Sequence, residues 1–164
     1  MEHYYTGERN HQILISLLKQ HNIKNVVASP GIANSVFVGS IQNDPFFHII
    51  SVVDERSAAY VACGMAFETG EPVVISCTGA TAARDYMPGM SEAYYSKLPI
   101  LAVTSSQPTN RIGHMFAQVT DRTAPPSDVA NISVEMSTVR TPDDEWACMI
   151  AGNKAILELK RNGG

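Results

Sequence analysis

Apolar residues in this chain follow two periods, one typical of helices and one typical of strands. Residues 7–21 carry isoleucine and leucine at helical spacing, so they predict an amphipathic helix. Several short apolar runs, most of them rich in β-branched residues, have the length of strands instead. They predict strands at residues 25–28, 47–53, 72–76, 99–104 and 132–136. The second of these runs, 47–53, is apolar enough to predict a strand that is buried.

Helices are predicted between and after these strands. Residues 33–41 form the second helix, and Asp54 is expected to N-cap a third, alanine-rich helix that ends at Gly70. Further helices are predicted up to about residue 96 and over residues 143–160. This alternation predicts an α/β fold of one flavodoxin-like domain over residues 1–164. In that fold, helices cover both faces of a doubly wound, mostly parallel sheet.

Composition excludes several classes of protein. The chain has 164 residues, 45% hydrophobic and 17% charged, with a formal net charge of −4, which predicts a globular domain that does not bind nucleic acid. The sequence contains no signal peptide and no apolar stretch of membrane-spanning length, so we expect no membrane partner and a cytoplasmic location. Cys63, Cys77 and Cys148 lack disulfide or zinc-ligand spacing, which predicts buried free thiols and no metal site.

Ligands bind at the carboxyl ends of strands in a doubly wound sheet, and Glu55 directly follows such an end. The helix that begins there favours a carboxylate, whereas burial against apolar walls favours the neutral acid. A carboxyl group under these opposing influences can transfer a proton to a ring nitrogen. The alternative is that Asp54 and Glu55 only cap the helix.

Two small-residue loops follow other strand ends. The segment from Thr78 to Thr81 can offer backbone N–H groups to an anion, but it matches no nucleotide-binding motif and can equally serve close packing. Gly31, after Ser29 and Pro30, either supplies a turn or lets the backbone approach a ligand. Residues 105–128 form a long irregular segment, which is often functional in a compact domain.

Four blocks of sequence, in order, resemble the N-terminal pyrimidine-binding (PYR) domain of thiamine-diphosphate enzymes. This family includes acetolactate synthases, 2-oxo acid decarboxylases and the menaquinone-pathway synthases, and the last group is the most similar. The blocks are residues 53–66, which contain Asp-Glu-Arg, residues 77–83, residues 92–100, and Gln118 ten residues after Pro108. The resemblance runs from about residue 8 to the end of the chain.

The resemblance implies a role for each block. Glu55 would be the catalytic residue: it would hydrogen-bond N1′ of the aminopyrimidine ring and so favour deprotonation of the thiazolium C2 by N4′. Pro30, Gly31, Thr78, Gly79 and Gln118 would contact the cofactor beside it. The implied reaction is decarboxylation of a 2-oxo acid, followed by release or transfer of the resulting acyl anion.

The sequence departs from the family in two places. The menaquinone-pathway synthases carry a Ser-Arg pair, whose arginine holds a substrate carboxylate, where this chain has Ile32, Ala33 and Asn34. The Gly-Asp-Gly motif that binds diphosphate and Mg²⁺ is absent, which implies that Mg²⁺ is bound by another domain. The resemblance therefore implies half of a cofactor site, completed by the diphosphate-binding domain of another subunit in a homodimer or homotetramer.

Three interpretations of the whole protein follow. The leading one is a PYR domain belonging to a longer multidomain lyase or transferase. The second is the small subunit of a two-subunit 2-oxo acid decarboxylase. The third is a flavodoxin-like binding domain without chemistry, and nucleotide binding through the segment from Thr78 to Thr81 is a weaker variant of it.

Overall fold

The computed structural model describes residues 4–122 and 124–161. A four-stranded sheet forms its centre, with helices on both faces. The strands are β1 Asn25–Ala28, β2 His48–Ser51, β3 Val73–Cys77 and β4 Ile100–Thr104. The helices are α1 Arg9–Gln20, α2 Ser35–Ile41, α3 Glu55–Thr69, α4 Thr81–Asp85, α5 Met87–Ser96 and α6 Pro142–Glu158. The predicted α/β fold is confirmed.

All strand pairs are parallel, and the strand order is β2-β1-β3-β4. The chain leaves β1 in one direction to form β2 and then returns to the other side of β1 to form β3. The boundary between β1 and β3 is therefore the topological switch point, the position at which ligands bind in α/β sheets of this kind. This topology places the ligand-binding position between the loops that follow Ala28 and Cys77.

Two apolar cores hold the layers together, one on each face of the sheet. The first packs α1, α2 and α6 against Val26 and Val74, and the second packs α3 and α5 against Val27 and Ile75. Adjacent residues of β1 and β3 thus point to opposite faces, which is why both strands are apolar throughout. Such a sheet is buried on both sides at its centre.

The third helix has the predicted boundaries. Asp54 is its N-cap, and Gly70 ends it in the left-handed conformation at φ 66°. Its buried face consists of alanines and Cys63 and lies close to Gly89 of α5, whose carbonyl accepts a hydrogen bond from the Cys63 thiol at 3.3 Å. Small residues on both helices permit this close approach.

The helix predicted up to about residue 96 is divided in two. The structure has α4 and α5 with Tyr86 between them, and Pro88 lies in the first turn of α5. Proline has no backbone N–H, and its ring clashes with the carbonyl four residues earlier, here that of Arg84. The sequence contains this signal, and it explains the break.

The expectation that the second strand is buried was wrong. β2 lies at an edge of the sheet, and three of its four residues are exposed. Nothing within the described part of the chain covers its outer side, so Ile50 is 42% exposed and Val53, just beyond it, is 82% exposed. Apolar residues in a run do not distinguish a covered central strand from an uncovered edge.

The predicted strand at residues 132–136 was also wrong. The segment has no strand pairing, and most of its residues are exposed. It lies instead along the helices of the first core, where Asn10 Nδ2 donates to the carbonyl of Met136 at 3.2 Å and the Met136 side chain packs close to Gly152. The segment is held by side chains of α1 and α6 rather than by the sheet.

Three buried free cysteines, Cys63, Cys77 and Cys148, agree with the sequence prediction. Across residues 4–122 and 124–161, every helix is too short or too polar to cross a bilayer.

Candidate active site

The loops after β1 and β3 meet at the switch point. Gly31 lies so close to Thr78 that a Cβ added to Gly31 would come closer than 3.0 Å to Thr78 Oγ1. The two loops are also joined by the Ser29 N–H, which donates to the carbonyl of Ser76 at 2.8 Å. Gly31 and Thr78 are thus brought together, and glycine is needed at position 31 for this close approach.

Asn34 fixes the geometry of the first loop. Its side chain is buried, and its Oδ1 accepts a hydrogen bond from the Gly31 N–H at 2.9 Å. Its Nδ2 donates to the Ser29 carbonyl at 3.1 Å and to Ser76 Oγ at 3.3 Å. Sequence analysis missed this role, although an asparagine three residues after a Pro-Gly turn is a typical partner for loop backbone groups.

Glu55 is the first residue of α3 and is half-buried at the carboxyl edge of the sheet. Asp54 performs the capping: its carboxylate accepts from the Arg56 N–H at 3.1 Å and from the Ser57 hydroxyl at 3.0 Å. The bond from Ser57 and those from backbone N–H groups lower the pKa of Asp54. Glu55 accepts no hydrogen bond from any residue that the structure describes, so its carboxyl group is available to a ligand.

Three buried polar side chains lie beneath this edge. The hydroxyls of Ser29 and Tyr86 are buried, and the Tyr86 hydroxyl lies against both Ser29 and Cys77. Burial raises the pKa of the Cys77 thiol to about 12, and Glu55 raises it further whereas Arg122 lowers it. Burial, followed by the neighbouring Cys77, also raises the pKa of Tyr86. Glu55 and Arg122 therefore lie within electrostatic reach of the Cys77 thiol, and this thiol is neutral.

Gly79 occupies the next position along the edge. A Cβ there would come closer than 3.0 Å to the Ser105 carbonyl oxygen and to Arg122 Nη2. Arg122 Nη1 donates to Thr104 Oγ1 at 2.7 Å, and its Nη2 donates to the Ser105 carbonyl at 3.1 Å. The guanidinium thus connects the loops after β3 and β4. Sequence analysis missed it, since a single arginine in an irregular segment carries no motif.

The other predicted contact residues are more exposed. Pro30 is exposed beside Gly31. Gln118 is exposed, has a left-handed backbone at φ 58°, and lies on the wall of an open cavity of about 1180 Å³ that Thr104, Ser105 and Arg122 also line. Glu55 lies outside that wall. The structure therefore brings Gly31, Thr78 and Gly79 together with the Glu55 edge, whereas Gln118 remains apart on the cavity side.

The donor set suits an aminopyrimidine ring better than a metal ion. A half-buried carboxyl group without a partner among the described residues, beside loops that glycine allows to pack closely, can hydrogen-bond a ring nitrogen. Within the described residues, no group of three or more His, Cys, Asp or Glu side chains is arranged to hold a metal ion. The site therefore fits the pyrimidine end of a cofactor.

The family profile described as "Thiamine pyrophosphate enzyme, N-terminal TPP binding domain" matches residues 9–125. This match covers more than half of the chain and includes the Gly31, Glu55, Thr78 and Gln118 positions. The chain therefore belongs to this family of thiamine-diphosphate enzymes, and the resemblance found in the sequence is confirmed.

The curated relatives of this chain are longer proteins. The chain is 33% identical over 159 residues to the 2-succinyl-5-enolpyruvyl-6-hydroxy-3-cyclohexene-1-carboxylate synthase of Bacteroides thetaiotaomicron, covering 97% of this chain and 29% of that protein. It is 35% identical over 112 residues to the synthase of the same name from Porphyromonas gingivalis, covering 68% of this chain and 19% of that protein. The chain spans less than a third of the length of these curated relatives.

Two solved structures have the same fold. The benzoylformate decarboxylase of Polynucleobacter necessarius superposes with a TM-score of 0.59 at 20% identity, over 67% of this chain and 20% of that one. The thiamine-diphosphate-dependent 4-hydroxybenzoylformate decarboxylase of Rhodococcus jostii RHA1 gives a TM-score of 0.61 at 19% identity. The superposition covers 69% of this chain and 21% of that one. These likenesses confirm the thiamine-diphosphate-binding α/β fold.

Proposed function

We propose that this chain is the pyrimidine-binding half of the cofactor site of an enzyme that decarboxylates a 2-oxo acid and releases or transfers the resulting acyl group. The observation that carries the proposal is Glu55, a half-buried carboxyl group that no described residue hydrogen-bonds and that begins a helix beside the switch point. Family membership supports the cofactor, and the lyase or transferase activity belongs to the whole protein.

Glu55 would hold a proton between its carboxyl oxygen and N1′ of the aminopyrimidine. A glutamate carboxyl group within hydrogen-bond reach of a ring nitrogen is a residue type that can act in such a proton transfer. Bound thiamine diphosphate would supply the thiazolium ring as the electron sink for decarboxylation. Gly31, Thr78 and Gly79 would shape the wall against which the pyrimidine ring lies, with Pro30 and Gln118 at its margins.

We place Mg²⁺ and the cofactor diphosphate in a domain outside these residues, and the protein in the cytoplasm. Membership of the menaquinone-pathway group is a finer proposal that the Bacteroides relative supports. One feature opposes an identical substrate: Ile32 is 93% exposed and Asn34 is buried in loop contacts, so neither replaces the missing arginine. We therefore propose a 2-oxo acid substrate without naming it.

The exposed apolar residues on the outer face of α3 support a partner interface on that face. Tyr60 is 49% exposed, Phe67 is 74% exposed, and Gly64 between them faces open space. These positions share one side of the helix that begins with Glu55. A partner that covers this apolar stripe would also approach the site, as expected for a site shared between the subunits of a homodimer or homotetramer.

The full-length product of the gene provides the test of function. We would titrate it with thiamine diphosphate in the presence of Mg²⁺ and follow CO₂ release from a panel of 2-oxo acids. Saturable cofactor binding and CO₂ release from at least one acid are expected. Absence of both would contradict the proposal. A natural small subunit would instead require a reading frame that ends at Gly164 and a second polypeptide for CO₂ release.

Substitution of Phe67 by glutamate should weaken assembly. Burial of a phenylalanine side chain contributes about 1.5–3 kcal/mol, so the dissociation constant of the assembly should rise about tenfold or more. Phe67 lies twelve residues from Glu55 on α3, so it would not contact the pyrimidine itself. Sedimentation equilibrium of the full-length protein measures the effect.

Glu68→Gln is the matched control, because it changes an exposed neighbour on the same helix without adding charge to the apolar stripe. Its dissociation constant should equal that of the wild type. A stable monomer in the wild type, or equal assembly of the Phe67→Glu variant, would show that α3 is not the partner face.

A further inference from the structure

Arg122 is a half-buried cation without a carboxylate partner in the described ion pairs. The chain has 16 acidic residues against 12 lysines and arginines. Even so, the ion pairs of the described residues are Arg9–Glu145, Lys19–Asp44 and Arg161–Glu158, and none includes Arg122. Taking a guanidinium partly out of water is costly unless an anion or several acceptors compensate. A half-buried guanidinium without a carboxylate partner among the described ion pairs is therefore a candidate for binding another anion.

The hydrogen bonds of Arg122 leave most of its donors unused. A guanidinium has five N–H groups, and here two bonds are made, to Thr104 Oγ1 and to the Ser105 carbonyl. The Nε atom is buried and has no partner among the described residues. Buried donors without partners are rare in native proteins and indicate an additional water or ion. These contacts hold the guanidinium in place, and no further acceptor for it lies among the described residues.

A second arginine reinforces the positive charge. Arg84, at the other side of the β3–β4 edge, donates from Nη2 to the Asp121 carbonyl oxygen at 3.1 Å and shares the cavity wall with Arg122. Burial lowers the pKa of Arg122, and the charge of Arg84 lowers it further. Two like charges this close repel one another, and a bound anion would relieve that repulsion.

We propose that Arg122 and Arg84 form a binding site for a small carboxylate at the carboxyl ends of β3 and β4. A planar guanidinium matches the two oxygens of a carboxylate, and the open cavity in front of it admits a small acid. That the carboxylate belongs to the 2-oxo acid substrate rests on the proposed function. Its support is position: Arg122 lies against Gly79, which directly follows Thr78 in the loop after β3.

The site is tested by calorimetric titration of the full-length protein, prepared without thiamine diphosphate, with pyruvate and separately with inorganic phosphate. Pyruvate should bind saturably. Arg122→Gln should weaken its binding about tenfold or more, as loss of a charge-assisted hydrogen bond predicts. The affinity of Arg122→Lys for pyruvate should lie between those of the wild type and Arg122→Gln. Lysine keeps the positive charge but lacks the planar guanidinium that matches both carboxylate oxygens. This readout needs no cofactor, so it can fail while the proposed function stands.

Two further variants keep the result interpretable. Arg84 is exposed, so Arg84→Gln should fold normally and still weaken pyruvate binding severalfold, even if Arg122→Gln does not fold. Arg111→Gln is the control, because Arg111 is an exposed arginine of the same irregular segment that donates a hydrogen bond to Gln107. This substitution should leave the affinity for pyruvate unchanged. Absent pyruvate binding, binding unchanged by the Arg84 and Arg122 substitutions, or tighter binding of phosphate would each overturn the proposal.

Discussion

Glu55→Gln should abolish most of the activity of the full-length enzyme while leaving its fold intact. A positioned acid or base typically accelerates a reaction about 10²- to 10⁴-fold, so kcat should fall by about that factor. Glutamine keeps the size of the side chain but cannot share a proton with N1′. The measurement is CO₂ release from the best 2-oxo acid at saturating thiamine diphosphate and Mg²⁺.

Asp54→Asn is the matched control for this experiment, since it changes the adjacent carboxylate. Asp54 accepts the capping bonds from the Arg56 N–H and the Ser57 hydroxyl, and asparagine caps helices nearly as well. Its activity should remain close to that of the wild type. Activity that is unchanged by Glu55→Gln, or lost equally in both variants, would mean that this edge of α3 serves the helix and not the cofactor.

The sequence predicted the elements near the sheet centre because local chemistry decides them. Asp54 and Gly70 bound α3 through capping and left-handed geometry, which depend on neighbouring residues alone. The choice of Glu55 as a candidate needed only the rule that sites follow parallel strands. Whether Glu55 only caps the helix or faces a ligand was left open, because that depends on side-chain orientation.

Features that depend on distant contacts were not predictable in the same way. The residues that follow Phe47 are as apolar as those of a central strand, yet their exposure depends on strand order. The segment at 132–136 has strand composition but is held by Asn10, more than a hundred residues earlier. Arg122 acquires its role only because Gly79 and Ser105 come together beside it. In each case the deciding partner lies elsewhere in the chain.

The polar groups of the site share one property: they are buried or half-buried and make few hydrogen bonds within the described residues. Ser29 and Tyr86 have buried hydroxyls beside the Cys77 thiol, whereas Arg122 Nε and the Glu55 carboxyl group have no protein partner within the described residues. A core that served stability alone would satisfy such groups. Their concentration at the carboxyl ends of β1 and β3 and at the first turn of α3 is what a surface complementary to polar ligands requires.

Gly79→Ala should destabilise the domain and disturb the site together. The added methyl group would collide with the Ser105 carbonyl, which is backbone and cannot rotate away, and with the Arg122 guanidinium. Overpacking of this kind costs about 1–3 kcal/mol. Urea denaturation should therefore show a lower midpoint at an unchanged m-value. The affinities for thiamine diphosphate and for pyruvate should fall too, because Arg122 loses its support on Ser105.

Gly64→Ala should have the opposite effect on stability against urea. Gly64 lies within α3, and a Cβ there would meet nothing within 4 Å. Alanine in a helix is favoured over glycine by about 0.5–1 kcal/mol, so this variant should have a slightly higher urea midpoint than the wild type. If Gly79→Ala were as stable as the wild type, the loops after β3 and β4 would have to separate freely. A site that positions Arg122 through those loops would then lose its physical basis.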